Sequence, residues 1–100
     1  MRGNSDMFPR YDEFELTDSA YRHGYDDEDV AEMLRGPLVV IRSRRGQLVG
    51  YEIFGRNRAG AYLIAAARVV TSQDVKVLRV FHVNRMTDTE RQRFQRQVKR

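Results

Sequence analysis

Apolar and polar residues follow two different periods along the chain, and the change of period separates predicted helices from predicted strands. Before Gly36, the apolar residues Val30, Met33 and Leu34 recur at helical spacing. From Leu38 onward, and for almost fifty residues, runs rich in β-branched and aromatic residues alternate with short polar turns. The pattern predicts helices at the start, strands in the middle and a return to helix near the end.

Capping residues bound the two predicted N-terminal helices. Thr17 or Asp18 can cap a brief first helix that ends at Gly24, a residue suited to the left-handed position past a helix end. Asp26 is the predicted N-cap of the second helix, because three acidic residues follow it and the helix dipole favours negative charge there. Gly36, followed by proline, ends this second helix.

Four strand-length runs follow, joined by short turns. They occupy residues 38–42, 48–54, 62–70 and 75–83. Connections of this length favour antiparallel pairing of consecutive strands, since a parallel crossover needs a dozen or more residues. Residues 14–16 also allow a short strand or turn. We therefore predict an α+β fold with two N-terminal helices, a four-stranded antiparallel meander and a C-terminal basic helix.

The predicted C-terminal helix is basic over most of its surface. Thr87 and Glu90 have the spacing of a capping box, in which each side chain binds the other residue's backbone amide. Phe94 and Val98 are the apolar anchors within it. The basic residues are Arg91, Arg93, Arg96, Lys99 and Arg100. Such a helix either packs weakly or has part of its surface covered by a partner.

Length and composition favour one small domain. The chain has 100 residues, no cysteine and two histidines, so the sequence predicts neither disulfides nor a multi-histidine metal site, and no cofactor. Residues 1–13 are predicted to be a flexible arm and residues 14–100 a single domain. The start has no apolar signal-peptide core and no run reaches the length of a membrane span, so we expect a soluble, cytoplasmic protein without membrane contact.

Charge is divided unevenly along the chain. Residues 1–34 carry 3 basic and 10 acidic side chains, a net charge of −7, whereas residues 35–100 carry 15 basic and 4 acidic ones, a net charge of +11. A basic excess of this size attracts polyanions. It suggests nucleic acid or an acidic protein as a partner, although ordinary solvated surface is an equally open interpretation.

The order of short motifs resembles the BrnT family of type II toxins, which have a RelE-like ribonuclease fold. The matching residues are Arg22, His23 and Gly24, the acidic helix after them, Gly55 and Arg56, Leu78 to Val80, and Met86, Thr87 and Glu90. The resemblance covers roughly residues 14–98. It implies a toxin that cleaves RNA and is held inactive by a cognate antitoxin protein, which itself binds DNA. Asn84, Phe94 and His82 differ from the residues common in the family, which leaves a toxin-fold protein without catalysis as the alternative.

RNA cleavage without a metal ion requires a base for the 2′-hydroxyl proton, cations for the phosphorane and an acid for the leaving oxygen. Arginine suits the second role because its planar fork holds two phosphate oxygens. We predict His82, Arg79 and Arg85 as the catalytic set. We predict Arg56, Arg58 and Arg91 as RNA-binding residues.

Structural explanations exist for each of these residues. His82 can be a packed or surface histidine, and His23 can simply cap helix carbonyls. Alternation along the strand predicts His82 and Asn84 on one face with Arg79 on the other, and Arg79 can pair with Glu52 across the sheet. Four aromatic residues on the predicted strands could stack bases, although most such residues belong to a core. These are Tyr51, Phe54, Tyr62 and Phe81.

Overall fold

The computed structural model describes residues 8–99, with the exception of the side chain of Arg45. The strands are β1 (Glu13–Leu16), β2 (Val39–Arg45), β3 (Leu48–Arg56), β4 (Tyr62–Ser72) and β5 (Val75–Arg85). The helices are a 3-10 helix (Asp18–Tyr21), α1 (Asp27–Arg35) and α2 (Asp88–Val98). Residues 1–7 of the predicted arm lie outside the described residues. Within the rest of that arm, Phe8 and Tyr11 pack against the core.

The domain is α+β, with one mixed five-stranded sheet in the order β1-β5-β4-β3-β2. The predicted four-stranded antiparallel meander is therefore wrong. Strands β2 to β5 pair antiparallel in sequence order, but β1 adds to the far side of β5 in parallel. Short connections determine the pairing only of strands that follow one another in the chain. They do not predict the pairing of β1 with β5, because most of the domain lies between these two strands in the sequence. The predicted first helix is likewise reduced to the single 3-10 turn.

The start signals of both α-helices are confirmed. Asp26 caps α1 by accepting a hydrogen bond from the backbone amide of Asp29, and the Asp29 carboxylate accepts one in return from the amide of Asp26. Thr87 and Glu90 form the predicted capping box of α2, with hydrogen bonds of 2.8 and 3.1 Å. Each box satisfies backbone amides that the helix itself leaves without a partner.

The two faces of the sheet are covered to different extents. On one face, α1 and the 3-10 helix close the main core, whose largest fully buried side chains include Met33, Ile53 and Leu63. On the other face, α2 rests on a small cluster in which Phe94 packs with Val39 and Phe54. Part of this second face remains open, and it is the part that carries the candidate site.

Two tight hairpin turns use positive backbone angles. Gly46 has φ of +60° in the β2–β3 turn, which glycine adopts without steric cost. In the β4–β5 turn the two central residues are Gln73 and Asp74, with φ of +51° and +69°. Both central positions of this turn therefore place a side chain in the left-handed region.

Candidate functional site

Strand β5 carries a β-bulge where it passes the middle of β4. Ala66 of β4 pairs with His82, while the next residue, Ala67, pairs with Val80. Phe81 is therefore an extra residue on β5. A bulge of this kind interrupts the strict alternation of side chains between the two faces of a sheet.

The bulge brings Arg79 and His82 to the same face of the sheet. Arg79 pairs with Arg68 and His82 pairs with Ala66, and these two residues of β4 are two apart and share a face. The predicted placement of Arg79 and His82 on opposite faces is therefore wrong. The physical reason is the extra residue, Phe81, which shifts the alternation between them.

Two arginines lie directly opposite each other beside the bulge. Arg79 and Arg68 are cross-strand partners, an arrangement in which like charges repel. Arg79 donates a 2.7 Å hydrogen bond and ion pair to Glu15 of β1. It does not pair with Glu52, the partner that strand order suggested, because β1 is its neighbour on the other side. The guanidinium of Arg68 lies 5.6 Å from the ring centroid of Phe81. Arg79 thus has a carboxylate partner, whereas Arg68 lies against an aromatic ring.

The two histidines of the chain meet next to this arginine pair. The rings of His23 and His82 have centroids 5.4 Å apart and are nearly perpendicular, at 81°. The segment that carries His23 is held against β5 by a 2.9 Å hydrogen bond from the Ser19 hydroxyl to the Phe81 carbonyl oxygen. Both imidazoles are exposed to solvent. We call Arg68, Arg79, Phe81, His82 and His23 the bulge site.

A hydrogen bond ties the segment that precedes His23 to α1. The Tyr21 hydroxyl donates to an oxygen of the Asp27 carboxylate in the first turn of α1. This bond raises the pKa of Tyr21 above its ordinary value, since the phenol must stay protonated to make it. The His23 loop is therefore anchored at two points, on β5 and on α1.

The bulge site borders a shallow cavity of about 360 Å³ on the open sheet face. Phe81, which is 37% exposed, and Arg68 form one side of this cavity. Leu48, Gly50 and Ala66 provide an apolar surface, and Glu52 also borders the cavity. A partly exposed aromatic ring beside a small apolar surface can accept a planar group such as a nucleobase.

A second basic group lies at the end of β5. The guanidinium carbons of Arg56 and Arg91 lie 4.8 and 5.8 Å from the ring centroid of Tyr62, within the range of cation–π attraction. Arg85 and Arg91 line a cavity of about 430 Å³, which Tyr62 and Asp88 also border. We call Arg56, Arg85 and Arg91, gathered around Tyr62, the arginine cluster.

The ring of Tyr62 is fixed in place within the arginine cluster. Phe94 of α2 contacts it edge to face, with centroids 5.9 Å apart. The Tyr62 hydroxyl accepts a 3.0 Å hydrogen bond from Nε2 of Gln95. Among the described residues, the ion pair within this cluster is that of Arg91 with Asp88, and it is long, at 3.9 Å. Most of the positive charge of the cluster is therefore uncompensated.

The predicted site residues fall into two groups and one outlier. Arg79 and His82 lie together in the bulge site, whereas Arg85 lies three residues farther along β5, about 10 Å away at ordinary strand rise. Arg56 and Arg91 lie with Arg85 in the arginine cluster. Arg58 is in the β3–β4 turn, where its backbone amide donates a 2.9 Å hydrogen bond to Glu32.

Sequence reasoning missed Arg68 and left His23 out of the predicted catalytic set in favour of a structural role. Arg68 becomes visible as a site residue only through its pairing with Arg79, which depends on the register of β4 against β5. His23 approaches His82 because the chain after β1 runs along β5, a parallel arrangement that local patterns do not reveal.

Comparisons with protein-family models and with curated proteins give no match for this chain. Within residues 8–99, no three histidine, aspartate or glutamate side chains are grouped so that they would hold a metal ion. Neither α-helix in that range combines the length and the apolar character that crossing a membrane requires.

Proposed function

We propose that the protein is a BrnT-like toxin that cleaves RNA without a metal ion, and that the bulge site is where cleavage occurs. The observation that carries the proposal is the β-bulge at Phe81, which sets His82 on the same exposed face as Arg79 and in contact with His23. Two proton carriers and two phosphate-binding cations are the groups that this reaction needs.

The proposed reaction is an internal transfer of the phosphodiester. One imidazole of the His23–His82 pair takes the proton of the ribose 2′-hydroxyl, and the 2′-oxygen forms a bond to phosphorus. The bond from phosphorus to the 5′-oxygen breaks, and the other imidazole gives its proton to that oxygen. The products are a 2′,3′-cyclic phosphate and a free 5′-hydroxyl, so no water or metal is consumed.

Arg68 and Arg79 are the proposed contacts to the phosphorane. Their guanidinium groups can each hold two phosphate oxygens, and the developing negative charge relieves the repulsion between them. Arg79 is already paired with Glu15, whereas Arg68 borders the adjoining cavity together with Glu52 and Phe81. A nucleobase next to the scissile phosphate would stack on Phe81 in the adjoining cavity.

The test is cleavage of a labelled RNA by the purified protein in the presence of a metal chelator. We expect products with a cyclic phosphate end, identified by mass spectrometry. His82→Ala should lower the rate by roughly a hundredfold or more, the usual contribution of a positioned acid or base. Arg42→Ala is the matched control, since it removes an exposed arginine from β2 and should leave the rate unchanged. Cleavage that survives loss of both histidines would refute the site.

A second candidate function is binding of RNA, or of an acidic protein, without catalysis. It is favoured by the neutralisation of Arg79, which is already paired with Glu15. Affinity for RNA that falls steeply with salt, with no product formed, would support this function over cleavage.

The proposed toxin would act in the cytoplasm, where its RNA substrate is, and would bind a cognate antitoxin. We expect the binding surface of this antitoxin to be acidic, because residues 35–100 of the toxin carry a net charge of +11. Sequencing the neighbouring reading frames tests this point. An adjacent gene for a small DNA-binding protein is the expected result.

A further inference from the structure

We infer that the arginine cluster is a second phosphate-binding subsite for the RNA strand that enters the bulge site. The substrate is then a single strand longer than a dinucleotide, because one phosphate occupies the bulge site and another occupies the arginine cluster. This inference rests on the proposed function and deepens it. It concerns how the substrate is held and not how the bond is broken.

The two sites lie on the same face of the sheet, because Arg68 of the bulge site and Tyr62 of the arginine cluster are six residues apart on β4. Arg85, which pairs with the buried Leu63, borders the cavity of the arginine cluster at the end of β5. The rise of an extended strand places the backbone of Arg85 about 10 Å from that of His82 and about 20 Å from that of Arg79. A dinucleotide has a single phosphate, which cannot occupy both sites, whereas a longer strand laid along β5 presents further phosphates.

The arginine cluster is preorganised for an anion. Tyr62 is fixed by Phe94 and by the hydrogen bond from Gln95, and Arg56 and Arg91 lie against its ring. Side chains already ordered in this way lose less conformational entropy when they bind a ligand. The neighbouring cavity of about 430 Å³ leaves room for the ligand itself.

The arrangement also indicates which part of the RNA is contacted. The ring of Phe94 contacts the ring of Tyr62 edge to face, and the guanidinium groups of Arg56 and Arg91 make cation–π contacts with the same ring. The aromatic surface is thus occupied by the protein's own groups, and what the cluster presents outward is positive charge. Phosphate contacts of this kind position a strand without reading its sequence.

The experiment measures binding of 2′-O-methyl RNA oligonucleotides, which the proposed reaction cannot cleave. Fluorescence anisotropy compares a dinucleotide with a hexanucleotide on the full chain and on the double variant Arg85→Ala/Arg91→Ala. We expect the hexanucleotide to bind about tenfold or more tightly than the dinucleotide, from hydrogen bonds to a charged phosphate. The double variant should lose this advantage and keep its affinity for the dinucleotide.

Salt dependence gives a second readout. The slope of log affinity against log salt for the hexanucleotide should become shallower by about 0.7 for each phosphate contact removed. Arg93→Ala/Arg96→Ala is the matched control, because it removes the same total charge and both arginines lie on α2, the helix that carries Arg91. These two exposed arginines lie outside the arginine cluster, and their loss should leave most of the hexanucleotide advantage in place.

The outcomes separate this inference from the proposed function. A hexanucleotide advantage that is absent, or that is unchanged in the Arg85→Ala/Arg91→Ala variant, overturns the subsite. An advantage that depends on those arginines supports the subsite even if unmodified RNA is not cleaved, and in that case the proposed catalysis alone fails. Circular dichroism of both double variants checks that α2 remains folded.

Discussion

Replacing Phe94 by alanine should detach α2 from the sheet. Phe94 is the one buried residue of this helix, at 3% exposure, and its ring packs with Val39, Phe54 and the ring of Tyr62. Truncation of a buried phenylalanine to alanine costs about 3 to 5 kcal/mol, from lost transfer free energy and from the cavity left behind. Few other apolar contacts of α2 compensate for this loss.

The loss of stability in the Phe94→Ala variant has an upper limit, which is set by how strongly α2 docks on the sheet. If α2 leaves the sheet without unfolding it, the loss of global stability cannot exceed the free energy with which α2 docks. A domain of this size has about 5 to 15 kcal/mol of total stability, so the sheet and α1 should remain folded. The expected loss of about 3 to 5 kcal/mol corresponds to a fall in Tm of about 12 to 40 °C, at 4 to 8 °C for each kcal/mol.

The assay combines urea unfolding with hydrogen exchange of the α2 amides. Val98→Ala is the control, because Val98 is one turn farther along α2 and is 38% exposed, so its truncation should cost less than about 1 kcal/mol. In the Phe94→Ala variant the amides of α2 should exchange much faster than those of β4. A loss as small as that of the Val98→Ala control would refute the conclusion that Phe94 holds the helix.

Three further predictions concern backbone positions and a helix cap. Gly55→Ala should destabilise the fold by about 1 to 3 kcal/mol in urea unfolding, because the new Cβ would lie 2.9 Å from Met33 Cγ. An unchanged urea midpoint would show that the Met33 side chain moves aside without a cost in stability. Replacing Gln73-Asp74 by Asn-Gly should raise the Tm by a few degrees, since both residues have positive φ and this pair adopts such angles at lower cost; a fall in Tm would contradict the strain argument. The pKa of Asp26 in the folded protein is held below its ordinary value, chiefly by the hydrogen bond from the Asp29 amide. The ionised Asp26 carboxylate therefore stabilises the fold at any pH above the ordinary pKa, and this stabilisation is lost as the pH falls through the lowered pKa of the folded state. Asp26→Asn keeps a capping oxygen and should show a shallower loss of stability below about pH 4, and parallel acid-unfolding curves for the two proteins would contradict this.

The parts of the fold that follow from short-range patterns were predictable from the sequence. Asp26 and Thr87 are correctly predicted as helix caps because a capping box involves residues only three apart. The hairpin turns follow from the same kind of local signal. A short strand or turn was predicted at residues 14–16, but not its place in the sheet, because β1 is four residues long and its partner, β5, lies some sixty residues away.

The candidate site was less predictable because a single extra residue controls it. Strand alternation is a reliable guide until a bulge interrupts it, and the sequence around Phe81 has no glycine or other signal that announces one. The contacts of Arg79 with Glu15, and of His82 with His23, join segments far apart in the chain. Their partners are set by the packing of the whole sheet, which local reasoning does not include.

The parallel pairing of β1 with β5 also has a consequence for the order of folding. The hairpins from β2 to β5 close short loops, whereas the Arg79–Glu15 contact joins residues 64 apart. Closing a longer loop carries a larger entropy cost, so the hairpins can form before β1 docks. The N-terminal strand would then be the last to dock. Any opening of β1 would separate Glu15 from Arg79 and raise the positive charge of the open sheet face.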